Sequence, residues 1–174
     1  MPVGIGYDVH RFEASRRLVL CGVEFPGERG LLGHSDADVA THAIMDALLG
    51  AASLGDIGQH FPPSDAGYRD ANSLALLRQV VRLLAERGWM PGNIDVTIVA
   101  EAPRIGPRVT AMRAMVGEAT GLDPARVSVK ATTNEGLGFL GRGEGIAAMA
   151  VAEILPRNSS VSTIVPSHEV DVHE

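Results

Sequence analysis

Cysteine is nearly missing from this chain. Cys21 is the one thiol among 174 residues, so no internal disulfide can form. It sits in the apolar run Leu18 to Val23, which fits a buried, inert thiol and a reducing compartment. The chain shows no basic region followed by a long apolar run near Met1, so a secretory signal is not expected. No apolar stretch approaches the roughly 20 residues that a membrane helix needs. The expectation is a cytoplasmic protein with no membrane partner. Positive charge is also short: Lys and Arg number 15 against 21 Asp and Glu, a net charge of −6. That balance excludes a nucleic-acid footprint and a polybasic membrane patch. An anionic ligand would need local help from metal ions, a few basic side chains or helix N-termini. The glycine-rich stretch Gly136 to Gly145 lacks GK[ST], so it is not a P-loop, and it lacks the following helix of a dinucleotide fingerprint. Internal repeats and a second domain are absent too.

Hydrophobic residues make up 45% of the chain, enough for one domain with a real core. Its organising stretch runs from Gly33 to Asp65 and holds three of the six histidines with a dense set of aspartates. Ser35 followed by Asp38 resembles a capping box with Asp in place of Glu. Val39, Ala43 and Ala47 then recur every four residues beside Ala40, Ile44 and Leu48, which predicts a helix to about Leu49. On it Asp38, His42 and Asp46 are spaced to share one face, a polar stripe able to bind a cation.

Alternation over Val3 to Glu13 predicts a strand. Residues two apart on a strand point the same way, so Asp8 and His10 project together with Val9 opposite. Alone they read as a surface pair at a strand end. With His42 they become three N/O ligands for one zinc ion, the donor count of a catalytic site. Arg17 to Phe25 reads as a second strand paired with the first, and Gly27 to Gly33 as a loop. Ala51 to Asp70 is rich in Gly, Asp and Pro; its segments Asp56 to Gly58 and Phe61 to Asp65 have the composition either of an ordered binding loop or of plain solvent loop. His60 reads as a surface residue. Asn72 caps a helix whose buried stripe is Leu74, Leu77, Val81 and Leu84, ended by Gly88. Asn93 to Ala100 is a strand, Pro107 to Thr120 a helix stopped by Gly121, and Val127 to Thr132 another strand. Met112 and Met115 are core. Thr132, Thr133, Asn134 and Glu135 follow, a polar turn or a site for phosphate and a hard cation, since hydroxyls donate to phosphate oxygens and a carboxylate can hold magnesium. Ile146 to Leu155 is a last strand. Pro156 to Glu174 is Ser-rich and reads as a mobile tail, with His168, Glu169 and His173 at most a weak incidental metal site.

Taken together, the segments GYDVHRF (residues 6–12), HSDAD (34–38) with His42, DALLG (46–50), LGDIG (54–58), KATTNE (130–135) and GRGEG (141–145) resemble the 2-C-methyl-D-erythritol 2,4-cyclodiphosphate synthases over Val3 to about Leu155. That resemblance implies a mixed β-sheet with helices packed on one face, an α/β fold of the two-layer α+β kind. It implies a homotrimer with the sheets facing the three-fold axis and active sites between subunits. The reaction implied is cyclisation of 4-diphosphocytidyl-2-C-methyl-D-erythritol 2-phosphate with release of CMP, in the non-mevalonate isoprenoid pathway. Zinc would be held by Asp8, His10 and His42, and a second divalent ion, magnesium or manganese, by Glu135. Thr133 with His34 would steady the transition state. Substrate contacts would come from Asp8, Val9, His10, His34 and Ser35; from Asp56, Ile57 and Gly58; and from Phe61, Pro62, Pro63, Ser64 and Asp65. The cytosine pocket would be Ala100, Glu101, Ala102, Pro103, Arg104, Ile105 and Gly106, largely through main chain, and the diphosphate would lie on Ala131, Thr132, Thr133, Asn134 and Glu135. Phe139 and Arg142 would complete the set. Arg142 and Glu144 would line an axial channel open to an isoprenoid diphosphate.

Such a reaction needs no protein nucleophile, because the substrate's own phosphate attacks. Two other readings use the same residues. A zinc hydrolase would need a general base, for which Asp38 or Asp46 is available. A non-enzymatic trimer binding isoprenoid diphosphates would not need Asp8, His10 or His42.

Overall fold

The computed structural model describes residues 1–157. The part of the expected tail beyond Arg157, including His168, Glu169 and His173, lies outside them.

Strand β1 is Val3–Glu13, as its alternation predicts. The segment after it departs from expectation. Instead of one strand over Arg17 to Phe25, two short strands, β2 (Val19–Leu20) and β3 (Val23–Glu24), pair with each other. The turn between them places Cys21 at φ +48° and Gly22 at φ +73°, so the run cannot stay extended. The strand that does pair with the end of β1 is β4, Gly30–Leu31.

Helix α1 spans Val39–Ala51. Its N-cap is Asp38, not Ser35: the Asp38 carboxylate accepts from Thr41 N–H and Oγ1, and from the backbone N–H groups of Cys21 and Gly22. Four donors satisfy one fully buried carboxylate and tie the β2–β3 turn to the start of α1. The short helix α2 (Ile57–His60) is capped by Asp56, and the 3₁₀ turn Ala66–Tyr68 by Asp65. Helix α3 (Ser73–Glu86) is capped by Asn72 as expected. Its buried stripe is Leu74, Leu76, Leu77, Val80 and Leu84, so Val80 replaces the expected Val81. Strand β5 (Trp89–Val99) begins four residues earlier than its apolar alternation suggests. Helix α4 (Val109–Thr120) follows a 3₁₀ turn and ends at Gly121 in the left-handed region. Strand β6 is Val127–Thr132, α5 is the single turn Gly138–Gly141, and β7 is Gly145–Pro156.

Five strands form one mixed sheet in the order β4-β1-β7-β5-β6, antiparallel except for the parallel β5–β6 pair. The chain is therefore a two-layer α+β domain with helices on one face. Ile94, Val96, Ile98, Ala148, Ala150 and Ala152 of the sheet meet Ala43, Ile44, Leu48, Leu77, Leu84, Met112 and Val116 of the helices in one core. Among the described residues the opposite face has no such cover. Val3, Ile5, Tyr7 and Val9 of β1 and Met149 and Val151 of β7 are exposed there, and Ile5 pairs with Val151 and Tyr7 with Met149, so the apolar side chains are contiguous. No helix among the described residues is long and apolar enough to cross a membrane.

Two glycines set how closely the layers approach. A Cβ on Gly4 would lie 2.1 Å from the Ala47 carbonyl oxygen, and one on Gly6 2.0 Å from that of Ala43. Strand β1 thus lies directly on the backbone of α1, and the functional side chains meet across that contact.

Candidate metal centre and active site

Asp8 and His10 leave β1 on the helix side, and His42 comes down from α1 to meet them. Asp8 Oδ2 lies 2.9 Å from His42 Nδ1 and 3.0 Å from His10 Nε2, and the two imidazole nitrogens are 3.2 Å apart. One ligand atom from each residue falls within 4.8 Å of the others, which makes them a group able to hold a single metal ion. The coming together of two elements 34 residues apart in sequence is what the period-2 reading of Asp8 and His10 required.

Charge within the trio is self-balancing in the metal-free protein. Burial works against an ionised Asp8, but hydrogen bonds and charge from His10 and His42 outweigh it and hold the carboxyl well below its usual range. Burial likewise works against a charged His42, and the Asp8 carboxylate outweighs it and raises the imidazole pKa. Protons and a metal ion would compete for the same atoms.

Behind His42 stands a polar support. Its Nε2 is 3.0 Å from Ser35 Oγ and 3.1 Å from Ser73 Oγ. Ser73 opens α3; both its hydroxyl and its backbone N–H donate to Asp36, the N–H at 2.9 Å. Asp36 N–H in turn donates to the Ala71 carbonyl, and Arg16 holds the Gly33 and Ser35 carbonyls. Ser35 is buried and also accepts from Ala37 N–H, so its hydroxyl is engaged with the protein. Asp36 lies within the HSDAD segment (34–38), but nothing in the sequence gives it or Ser73 a role of its own. The local signal at Ser73 is a serine immediately after the Asn72 cap, an ordinary helix start.

The metal trio opens onto a cleft of about 300 Å³ lined also by His34, Ser35, Ile57, Gly58, Phe61, Pro63 and Tyr68. Most of these are among the residues that the resemblance implies as substrate contacts; Tyr68 is an addition. Phe61 and Tyr68 stack edge to face at 5.4 Å, giving the cleft an aromatic wall. Asp46 accepts from Ile57 N–H at 2.8 Å and so fixes the mouth of the α2 loop. Asp56 is occupied capping α2 through Gln59, and Asp65 caps its 3₁₀ turn. Pro62, Ser64 and Asp65 sit at the outer rim, and His34 Nε2 reaches the Asp65 carbonyl at 3.3 Å. His60 bonds the Leu54 carbonyl at 2.8 Å, a structural role. Val9 points to the uncovered sheet face, so only its backbone is near the trio, where its N–H donates to Asp8 Oδ1.

The remaining expected residues form a second cluster elsewhere on the chain. Glu101 Oε1 accepts from Asn134 N–H at 2.9 Å and Gly136 N–H at 3.3 Å, which joins the segment Ala100 to Gly106 to the turn after β6. Within that turn Thr133 Oγ1 donates to Glu135 Oε1 at 2.8 Å, and Glu135 stands at φ +52°. Thr132 and Ala131 end β6, Ala102–Pro103 is a cis peptide, and Arg104 and Gly106 are exposed. Ile105 is buried in the core, so it can serve a ligand only through its main chain. Phe139 is exposed on α5, and Arg142 donates to Glu144 at 2.7 Å with both side chains in solvent.

Register shows how far apart the two clusters lie. Asp8 pairs with Ala148, Ala148 with Ile98, and Ile98 with Ala131. Three strand spacings of about 4.8 Å put roughly 14 Å between the backbones carrying the two halves.

A family model described as the YgbB family matches residues 1–155. The chain belongs to the YgbB family. Among its relatives is a protein from Symbiobacterium thermophilum named 2-C-methyl-D-erythritol 2,4-cyclodiphosphate synthase, 65% identical over 90% of this chain and 100% of its own length. Two solved structures extend the likeness to the fold of this YgbB member. One is of the bifunctional IspDF from Campylobacter jejuni, with TM-score 0.85 and 42% identity over 88% of this chain and 42% of that longer one. The other is the IspF of Plasmodium falciparum in complex with CDP, with TM-score 0.79 and 31% identity over 90% of this chain and 97% of that one.

The geometry of this family member also weighs on the hydrolase reading. Both carboxylate oxygens of Asp38 are consumed by N-capping and by the β2–β3 turn, and the side chain is fully buried. Asp38 has no free lone pair facing a cleft, so it cannot serve as a general base.

Proposed function

We infer that this chain catalyses formation of 2-C-methyl-D-erythritol 2,4-cyclodiphosphate from 4-diphosphocytidyl-2-C-methyl-D-erythritol 2-phosphate, releasing CMP, as a lyase of the non-mevalonate isoprenoid pathway. The observation that carries this reading is the Asp8–His10–His42 trio beside the cleft, in a chain 65% identical to a named synthase along that protein's whole length.

The donor set fits zinc: one carboxylate and two imidazoles, with the far nitrogen of His42 held by hydroxyls. Glu135, exposed and oriented by Thr133, fits a hard cation such as magnesium or manganese. Bound there, the two cations supply charge neutralisation and polarisation at phosphate oxygens.

The chain's own residues do the rest. An oxygen of the substrate's 2-phosphate forms a bond to the β-phosphorus, and the bond from that phosphorus to the CMP oxygen breaks. The cleft walls, Ile57, Gly58, Phe61 and Tyr68, confine the methylerythritol so that the two groups meet. Positioning of this kind can supply about 7–11 kcal/mol in favourable cases. On binding, the Thr132 and Thr133 hydroxyls turn from the Thr133 carbonyl and from Glu135 to donate to the diphosphate, His34 flanks it, and the backbone of Ala100 to Gly106 takes the cytosine.

A separation of roughly 14 Å within one chain supports an active site completed by a neighbouring copy. The uncovered apolar sheet face supports the assembly, a homotrimer packed about that face. Arg142 and Glu144 would then lie toward an axial channel that accepts an isoprenoid diphosphate.

The test is incubation of purified protein with the cytidyl substrate, with and without chelator, in oxygen-18 water. Cyclic product and CMP free of label, lost on chelation, are expected. Label incorporated into a linear phosphate product would overturn the reading in favour of hydrolysis.

A further inference from the structure

Hydrogen-bond direction on the Nε2 side of His42 is set through Ser73, while the Asp8 carboxylate lies 2.9 Å from Nδ1 on the other side. The Ser73 hydroxyl donates its single hydrogen to the Asp36 carboxylate. Ser73 Oγ is left with lone pairs alone, and its neighbour at 3.1 Å is His42 Nε2. Nε2 must therefore carry the proton it shares with Ser73. That leaves Nδ1, 2.9 Å from the Asp8 carboxylate, as the nitrogen for a metal, which would take the place of the proton shared there with Asp8. Ser35 imposes no such direction. Its oxygen receives Ala37 N–H, and its own hydrogen is free either to turn away from His42 or to donate to Nε2.

We propose that Asp36 and Ser73 are positioning residues for the metal centre: the Asp36–Ser73–His42 chain selects the His42 tautomer that presents Nδ1 to the ion. The inference rests on the trio being the metal site. Asp36 is 6 residues before His42 in the chain and Ser73 is 31 after it, so the selection is a property of the fold, made where the start of α3 docks on the loop before α1.

Asp36→Asn is the informative variant. Asp36 accepts from the Ser73 hydroxyl and Asp38 N–H on one oxygen and from Ser73 N–H on the other, so an amide must set an NH₂ against one of these donors and cannot keep the grip that orients the Ser73 hydroxyl. Ser73→Ala removes the link, whereas Ser73→Thr keeps the hydroxyl. Zinc affinity is measured on metal-stripped protein by competition with a chromophoric chelator. Asp36→Asn and Ser73→Ala are expected to weaken zinc about 10- to 100-fold, the range for partners one shell out from a metal ligand. Ser73→Thr should keep the affinity that Ser73→Ala loses. Asn72→Ala serves as the control, since it removes the α3 cap without touching the chain; it should lower thermal stability and leave zinc affinity alone. Wild-type affinity in both Asp36→Asn and Ser73→Ala would overturn the proposal, as would an equal loss in Asn72→Ala. Failure of the wild type itself to bind zinc would overturn the metal-site reading instead.

Discussion

Gly6→Ala tests whether the close contact of β1 with α1 builds the metal centre. The added Cβ would stand 2.0 Å from the Ala43 carbonyl oxygen, 2.8 Å from Ala47 N and 3.0 Å from the Ala43 carbonyl carbon. All three are backbone atoms of α1, so no side chain can swing aside. An ordinary contact of about 3.4 Å or more requires strand and helix to separate by more than an ångström. Overpacking of a close-packed core costs about 1–3 kcal/mol, and backbone against backbone belongs at the upper end. At about 3 kcal/mol the folding constant falls by roughly 150-fold, and Tm by roughly 6–12 °C for a domain of this size. The same separation moves His42 away from Asp8, now 2.9 Å apart, so zinc affinity should fall as well. Gly50→Ala is the matched comparison: it lies on α1, and its nearest outside atom would be the Ile5 carbonyl oxygen at 4.0 Å. An alanine there should stabilise by about 0.5–1 kcal/mol through helix propensity. Thermal melts and chelator competition on both variants decide the matter. A Gly6→Ala protein with wild-type Tm and wild-type zinc affinity would refute the reasoning.

Removal of His42 as Ala should abolish zinc occupancy and turnover while size-exclusion chromatography reports the same oligomeric state as the wild type; near-normal CMP release without zinc would contradict the proposed function. Glu135→Gln should cut turnover far more than it weakens CMP alone, since CMP lacks the diphosphate whose charge a cation held by Glu135 would neutralise; equal losses by calorimetry and by rate would remove that role. The metal-free protein should show a pH signature. Asp8, with its pKa depressed by the two histidines, contributes stability above about 3.9 that is lost as pH falls through its lower folded value. His42, with its pKa raised by Asp8, contributes below about 6.5 and loses that contribution as pH rises through its higher folded value. The trio therefore favours the metal-free fold most at mildly acidic pH. Stabilisation by zinc should grow from there towards alkaline pH, and melts of stripped and loaded protein that converge with rising pH would contradict it.

Much of the framework is legible along the chain. Strand β1 and its Asp8–His10 pair follow from period-2 alternation, and α3 and α4 follow from period-3.6 stripes with Asn72 and Gly121 at their ends. These signals are local, arising from neighbours a few residues apart. The errors fall where a distant contact outweighs the local pattern. Asp38 has the spacing to share a face with His42 and Asp46. It is the N-cap instead, outside the helical register, and a turn 16 residues earlier claims its carboxylate. The run Arg17 to Phe25 looks extended but is broken at Cys21, whose positive φ no composition rule signals.

Residue types and periodicities were enough to set which ligands exist, which elements carry them and which way each points from its own backbone. Packing alone decided that β1 and α1 touch through Gly4 and Gly6, that Ser73 and Asp36 stand behind His42, and that the Glu135 turn sits three strands away from Asp8. A side chain's direction is a property of its own φ and ψ, whereas its partners are chosen by elements dozens of residues apart in sequence, which only the folded chain brings together.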